Sequence, residues 1–134
     1  MIGLDTSVLL HFFFRDDATK NAMAVEVMSS LSIAEPGWVG IPVIVDLVWE
    51  LTHTHQLKRA GVVKILNELL SCRDIVIEKS EIVRKSVDLY EGAKIEFADC
   101  LIACSAKAAG CNRTMTFDRR AARDARDAGM ELLG

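Results

Sequence analysis

This sequence of 134 residues has no long hydrophobic run, few aromatic side chains (6%) and no excess of positive charge. No stretch approaches the ~18 consecutive apolar residues that a membrane-spanning helix needs, so we expect no membrane association. The chain has 16 basic and 19 acidic residues, and its net charge of −3 excludes a polybasic binder of nucleic acid. A nuclease with an acidic active site is not excluded. Apolar residues make up 51% of the chain, which excludes disorder.

The four cysteines lack the paired spacing of a zinc site. Cys100 and Cys104 lie one helical turn apart in an apolar segment, which is typical of buried free thiols. The first apolar stretch, Ser7–Phe14, follows Asp5 with no basic residue before it and is a poor signal peptide. These features predict a cytoplasmic protein with reduced thiols.

Short apolar stretches that predict strands alternate with longer segments that predict helices. The predicted strands are Met1–Asp5, Trp38–Ile41, Asp74–Ile77, Arg113–Phe117 and Met130–Leu133. The predicted helices are Thr6–Phe13, Ala18–Leu31, Pro42–His55, Gly61–Leu70, Ser80–Gly92, Phe97–Ala109 and Arg119–Ala128. Ser80 is a candidate N-cap, and Gly110 is a good helix terminator. No linker or repeat interrupts this alternation, which predicts one α/β domain over residues 1–134, built on a mainly parallel sheet.

Two acidic residues stand at the carboxyl ends of predicted strands, where open parallel sheets bind their ligands. Asp5 ends the first strand, and Asp118 follows the fourth. Because aspartate is also a favoured N-cap and a helix follows each residue, helix capping is an alternative explanation for both.

Two further acids lie in apolar surroundings. Asp99 follows Phe97-Ala98, and a carboxylate in such a segment must be a cap, half of an ion pair or a metal ligand. Glu50 lies in the apolar segment Val43–Leu51. Asp46 precedes Glu50 by one turn on the same helical face, and we interpret it as a solvated acid.

Four acids that meet at one sheet edge would repel one another unless a cation is bound. Ligation by oxygen alone favours a hard ion, Mg²⁺ or Mn²⁺. Such a site suits hydrolysis of a phosphodiester, because the ions activate a water, bridge the scissile phosphate and neutralise the leaving oxygen. Without these four acids, the basic and acidic residues of the chain nearly balance. The rest of the chain would therefore not repel a polyanionic substrate.

Four segments resemble the acidic motifs of the PIN-domain nucleases, and most of all those of the VapC-type toxins of toxin–antitoxin pairs. The segments are Gly3-Leu-Asp-Thr-Ser-Val-Leu-Leu10, Val45-Asp-Leu-Val-Trp-Glu-Leu51, Phe97-Ala-Asp-Cys-Leu-Ile-Ala103 and Thr114-Met-Thr-Phe-Asp-Arg-Arg-Ala-Ala122. They span essentially the whole chain in the expected order. The resemblance implies a three-layer α/β/α fold with a parallel sheet and an endoribonuclease that depends on Mg²⁺ or Mn²⁺. Its catalytic metal ligands would be Asp5, Glu50, Asp99 and Asp118.

The resemblance also implies supporting residues and partners. Thr6 matches the hydroxyl residue that often follows the first acid, and Thr116 the one two positions before the last acid. Both would hydrogen-bond carboxylates or a metal-bound water. Glu96 stands where relatives often carry an acid, and a plain surface position is the alternative. The implied partners are an RNA substrate, a VapB-like antitoxin over the acidic groove and a second copy of the chain in a homodimer.

Arginines are concentrated after the fourth acidic motif. Arg119, Arg123 and Arg126 are predicted on one face of the last helix, where they would contact RNA phosphates. A solvated helix with ion pairs is the alternative.

The histidines carry weaker signals. Glu50 and His53 have the spacing of a di-iron carboxylate motif, but the two such motifs that a di-iron bundle needs are not present. We interpret His53 and His55 as helix-end residues and His11 as a packed or pocket-rim residue. Two other functions stay open at this point: a non-catalytic PIN module that binds RNA or protein, and a nuclease of RNA processing or DNA without toxin function.

Overall fold

The computed structural model describes residues 1–134, in which five short strands alternate with seven α-helices and one 3₁₀ turn. This alternation confirms the predicted α/β class. The chain forms two compact units, each described by itself. The first unit comprises Met1–Leu57 and Asn67–Glu78, and the second comprises Lys58–Leu66 and Lys79–Gly134. A single domain over residues 1–134 stays a prediction.

The first unit is built on a parallel three-stranded sheet. Its strands, in spatial order, are β1 (Ile2–Gly3), β2 (Gly37–Val39) and β3 (Ile75–Ile77). Its helices are α1 (Thr6–Phe13), α2 (Ala18–Ser30), α3 (Ile41–His53) and the C-terminal part of α4 (Arg59–Ser71). Parallel pairing puts the carboxyl ends of all three strands at one edge, so Asp5, two residues beyond β1, lies at that edge.

Helix α3 shows why its sequence forms a helix with one buried face. Pro42 occupies the first turn, where its missing N–H costs no intrahelical bond. The buried residues recur every three or four positions and are Ile44, Leu47, Val48 and Leu51. The backbone N–H of Ile41 donates to Glu78 Oε1 over 2.8 Å, which ties the start of α3 to the end of β3. Glu50 is half-buried next to Leu51, at the border of this buried face.

The second unit carries a parallel two-stranded sheet. Its strands are β4 (Thr114–Thr116) and β5 (Met130–Leu132). Its helices are the N-terminal part of α4, α5 (Ser80–Gly92), α6 (Phe97–Ala108) and α7 (Arg119–Asp124), followed by a 3₁₀ turn (Arg126–Ala128). The sequence therefore predicted all five strands, and their pairing within each unit is parallel throughout.

Two predicted helix details are wrong. Lys79, in a left-handed conformation, stands at the N-cap position of α5, so the helix begins at Ser80 without a serine cap. The predicted helix Arg119–Ala128 ends at Asp124, because Ala125 leaves the helical conformation. The chain must then turn through Gly129, which has a positive φ of 97°, to bring Met130 into β5 beside β4. No helix of the structure is long and apolar enough to cross a membrane.

Candidate active site

Asp118 is held rigidly at the carboxyl end of β4. Its Oδ1 accepts hydrogen bonds from the backbone N–H groups of Arg120 at 2.9 Å and Ala121 at 3.0 Å, which caps α7. Its own N–H donates to Thr116 Oγ1 over 3.0 Å. The capping explanation is therefore correct for Asp118, but capping occupies only Oδ1. Oδ2 stays available to a cation. Thr116 holds the backbone of Asp118 in place and does not bond to its carboxylate.

Asp99 is half-buried in the first turn of α6, in the same unit as Glu96 and Asp118. Burial raises the pKa of the Asp99 carboxyl most, and the charges of Asp118 and Glu96 raise it further. Glu96 is exposed at the N-cap position of α6, three residues before Asp99. We call Glu96, Asp99 and Asp118 the acidic cluster. No arginine or lysine compensates Asp99 strongly enough to reverse this shift.

Two side chains, Arg59 and Asp124, fix the segment that leads into α6 and hence the position of Asp99. Arg59 Nη1 donates to the carbonyl oxygens of Tyr90 at 3.0 Å and Ile95 at 2.9 Å. Its guanidinium carbon lies 4.0 Å from the centre of the Tyr90 ring. On the other side, Asp124 Oδ2 accepts from the N–H of Lys94 over 2.9 Å. Sequence reasoning missed both residues, because nothing in the local pattern links position 59 or 124 to residues about 30 positions away.

The first unit carries the other two predicted acids. Asp5 is exposed at the N-cap position of α1, but its side chain makes no cap and accepts instead from Ser7 Oγ over 2.9 Å. The capping explanation is therefore wrong for Asp5. Glu50 is half-buried, and its Oε2 accepts from Thr54 Oγ1 over 2.8 Å. Ser7 and Thr54 are hydroxyl partners that sequence reasoning missed, although each lies within one turn of its acid. Thr6 is buried beside Asp5.

Within either unit, no group of three or more His, Cys, Asp or Glu side chains is arranged to hold a metal ion. The donor set nevertheless fits a hard divalent cation. Each of the four predicted ligands is a carboxylate, and the raised pKa of Asp99 reflects a negative charge that burial and other acids make unfavourable. A bound cation would relieve that repulsion.

The predicted arginine face is divided between two elements. Arg119 and Arg123 lie on α7, and Arg126 lies on the 3₁₀ turn, so the three do not share one helical face. All three are exposed. Arg123 Nε pairs with Asp124 Oδ1 at 2.8 Å, as the ion-pair alternative anticipated. Arg119 takes part in no ion pair within its unit.

The histidines and cysteines behave as structural residues. His53 is exposed and stacks on Trp49 with ring centres 4.5 Å apart, and half-buried His55 stacks on Phe14 at 3.8 Å. All four cysteines are free, as predicted. Burial raises the pKa of the Cys100 thiol to about 12, so this thiol is protonated and unreactive at neutral pH.

Two comparisons with known proteins identify the family of the chain. The model of the PIN domain family matches residues 2–127, and the chain belongs to that family. The family assignment confirms the predicted PIN-like α/β fold. Among curated proteins, the chain is similar to a VapC ribonuclease of Aquifex aeolicus (strain VF5). The two are 26% identical over 117 residues, which cover 87% of each protein.

Proposed function

We propose that this protein is an endoribonuclease of the VapC toxin type that depends on Mg²⁺ or Mn²⁺. One observation carries the proposal. In a PIN-domain chain, Asp118 stands at the carboxyl end of a parallel strand, with Oδ1 engaged in the cap of α7 and Oδ2 free to bind a cation. The similarity to a VapC ribonuclease supports RNA as the substrate.

The proposed metal ligands are the four predicted acids, Asp5, Glu50, Asp99 and Asp118. When bound, a divalent ion supplies the Lewis acid that phosphodiester hydrolysis needs. The chain itself supplies orientation. The cap of α7 points one oxygen of Asp118 into the helix and leaves the other free, and Arg59 and Asp124 fix the turn that carries Asp99. Rigid placement of ligands in this way removes the need to reorganise them during the reaction.

Other residues have supporting roles in this proposal. Thr116 holds Asp118 by its backbone, Thr6 lies beside Asp5, and Glu96 adds negative charge beside Asp99. The exposed arginines Arg119, Arg123 and Arg126 would contact RNA phosphates, Arg119 most readily because no ion pair in its unit occupies it.

Substitution of an aspartate by asparagine removes the negative charge and keeps the size of the side chain and one acceptor oxygen. Asp118→Asn keeps a good N-cap, and Asp5→Asn keeps an acceptor for Ser7. We expect each variant to lower the rate of RNA cleavage by about 10³-fold or more, since loss of a metal ligand removes several kcal/mol of transition-state stabilisation. Circular dichroism should show an unchanged fold.

Asp46→Asn is the matched control, because Asp46 is an exposed acid on the same helix as Glu50. It should cleave RNA at the parent rate. Parent-level cleavage by Asp5→Asn or Asp118→Asn, in preparations free of contaminating nuclease, would refute the proposed active site.

The proposed partners are a VapB-like antitoxin and a second copy of the chain, and the proposed location is the cytoplasm. Expression of the parent without antitoxin should arrest growth, whereas Asp99→Ala should not. Light scattering should give twice the chain mass of 14.8 kDa for a homodimer. A monomer mass at all concentrations would exclude the dimer without affecting the nuclease assignment.

A further inference from the structure

We infer that Phe117 is a stacking platform for a nucleobase of single-stranded RNA beside the acidic cluster. This inference rests on the proposed function. Phe117 is 79% exposed, more than any other large hydrophobic residue of the chain. The other four phenylalanines are buried or half-buried. Burial of a phenylalanine side chain normally stabilises a fold, and Phe117 gains almost none of this stabilisation within the chain.

The backbone on either side of Phe117 is held by hydrogen bonds. The carbonyl oxygen of Thr116 accepts from the N–H of Leu133 over 2.7 Å, which ties the end of β4 to the end of β5. Thr116 Oγ1 accepts from the N–H of Asp118, and Asp118 in turn caps α7. The ring is therefore presented to solvent from a fixed turn. A ligand that stacks on the ring therefore loses little binding free energy to ordering of the protein.

The charges around the ring favour a polyanion. Arg119 and Arg120 follow Asp118 directly and are exposed. Within their unit neither is in an ion pair, whereas Arg113 pairs with Glu131 and Arg123 with Asp124. An exposed aromatic ring next to free guanidinium groups is the combination by which proteins bind single-stranded nucleic acid, with bases on the ring and phosphates on the cations.

The position of the ring relates it to the proposed chemistry. Phe117 immediately precedes Asp118, a proposed metal ligand that stands between the end of β4 and the start of α7. A base stacked on Phe117 would belong to a nucleotide next to the scissile phosphate. The platform would then select unpaired RNA, because a base inside a duplex cannot offer its face to the ring.

The test measures binding of a labelled single-stranded RNA to protein inactivated by Asp5→Asn. Phe117→Ala in this background should weaken binding about tenfold, the loss expected for one stacked base. Phe117→Trp should retain the affinity, and Phe117→Leu, apolar but without a ring face, should lose it. Met23→Ala is the control for a generic exposed hydrophobic residue, since Met23 is 62% exposed on α2, and it should bind as the Asp5→Asn parent does.

A set of RNAs with one abasic nucleotide moved along the strand locates the stacked base. At one position, removal of the base should weaken binding to the parent about tenfold and leave binding to Phe117→Ala unchanged. The salt dependence of binding should be the same for Phe117→Ala and the parent, whereas Arg119→Ala should reduce it.

Several results would overturn the inference: equal affinity of Phe117→Ala and the parent, full affinity of Phe117→Leu, or no abasic position that couples to the ring. A change in self-association of Phe117→Ala with unchanged RNA affinity would assign the ring to a protein contact instead. If the unmutated protein neither binds nor cleaves RNA, the proposed function itself fails, which is a different outcome.

Discussion

At the scale of single residues, Asp118 shows that two roles which sequence reasoning treats as alternatives are compatible. One carboxylate oxygen caps α7, and the other stays free. The cap stabilises the helix by about 1 kcal/mol and at the same time orients the free oxygen. A structural role and a role in metal binding are therefore compatible in one side chain. Asp5 shows the opposite case, since it occupies an N-cap position without capping.

The raised pKa of Asp99 predicts a pH-dependent effect on stability. The folded, metal-free protein binds a proton at Asp99 more tightly than the unfolded chain does, because folding raises the pKa of this carboxyl above its ordinary value of 3.8. The stabilisation from this group is complete below pH 3.8 and is lost as the pH rises through the raised pKa. Asp99→Asn, which never ionises, should therefore have a higher Tm than the parent at pH 7 in the presence of a chelator.

The measurement is thermal unfolding of both proteins across a range of pH. The difference in Tm between Asp99→Asn and the parent should vanish below pH 3.8, where the Asp99 carboxyl of the parent is protonated. Asp88→Asn removes an exposed acid from α5 and serves as the control for net charge. A lower Tm of Asp99→Asn at pH 7 would show that the Asp99 charge stabilises the metal-free fold, contrary to this account.

At the scale of elements, the segment between α5 and α6 decides where Asp99 lies. Arg59, at the start of α4, binds two carbonyl oxygens that flank this segment, and Asp124, at the end of α7, binds an N–H within it. Tyr90 and Phe97 pack edge to face beneath it, with ring centres 5.6 Å apart. The start of α6 is thus positioned by α4 and α7, both distant in sequence, and by Tyr90 of the preceding helix α5. The helix propensity of α6 alone does not determine the position of its first turn.

Arg59→Lys should loosen this segment while keeping the charge. A lysine ammonium lacks the planar fork and does not reproduce both carbonyl bonds together with the stack on Tyr90. We expect a loss of about 1–2 kcal/mol in the free energy of unfolding, since hydrogen bonds to charged groups contribute about 1.5–3 kcal/mol each and lysine retains part of this. Amide hydrogen exchange should become faster in the first turn of α6.

Arg84→Lys is the matched control, because Arg84 is exposed on α5 and makes no ion pair within its unit. It should leave both stability and exchange unchanged. If Arg59→Lys exchanges at the parent rate around Asp99, the guanidinium does not position α6.

At the scale of the whole molecule, two of the four predicted acids belong to each compact unit. Asp5 and Glu50 belong to the first unit, and Asp99 and Asp118 to the second. We propose that a divalent ion binds carboxylates of the folded chain and does not bind the unfolded chain. Binding then stabilises the native state by mass action.

Mn²⁺ should therefore raise the Tm of the parent. At a concentration 100 times Kd the stabilisation is about 2.7 kcal/mol, which corresponds to about 8–10 °C for a chain of this size. Differential scanning fluorimetry over a Mn²⁺ titration measures this shift. Asp5→Asn and Asp118→Asn, one variant in each unit, should each lose most of it, whereas Asp46→Asn should keep it. An equal shift in all variants would mean that Mn²⁺ binds elsewhere.

The sequence by itself determined the order and type of the elements and the identity of the acids. Period-two and period-3.6 patterns are local, so the strand at residues 75–77 and the helix at residues 6–13 follow from their own side chains. Likewise, a carboxylate in the apolar segment after Phe97 identifies Asp99 as unusual without any knowledge of its neighbours.

Only the tertiary structure decided which groups each acid and arginine contacts. Arg59 reaches residues 31 and 36 positions away, and Asp124 reaches Lys94, because hydrogen bonds form between atoms close in space. The end of α7 at Asp124 also depends on the pairing of β5 with β4, which overrides a local helix pattern. Side-chain partnership and strand pairing are long-range interactions, and no short segment of sequence specifies them.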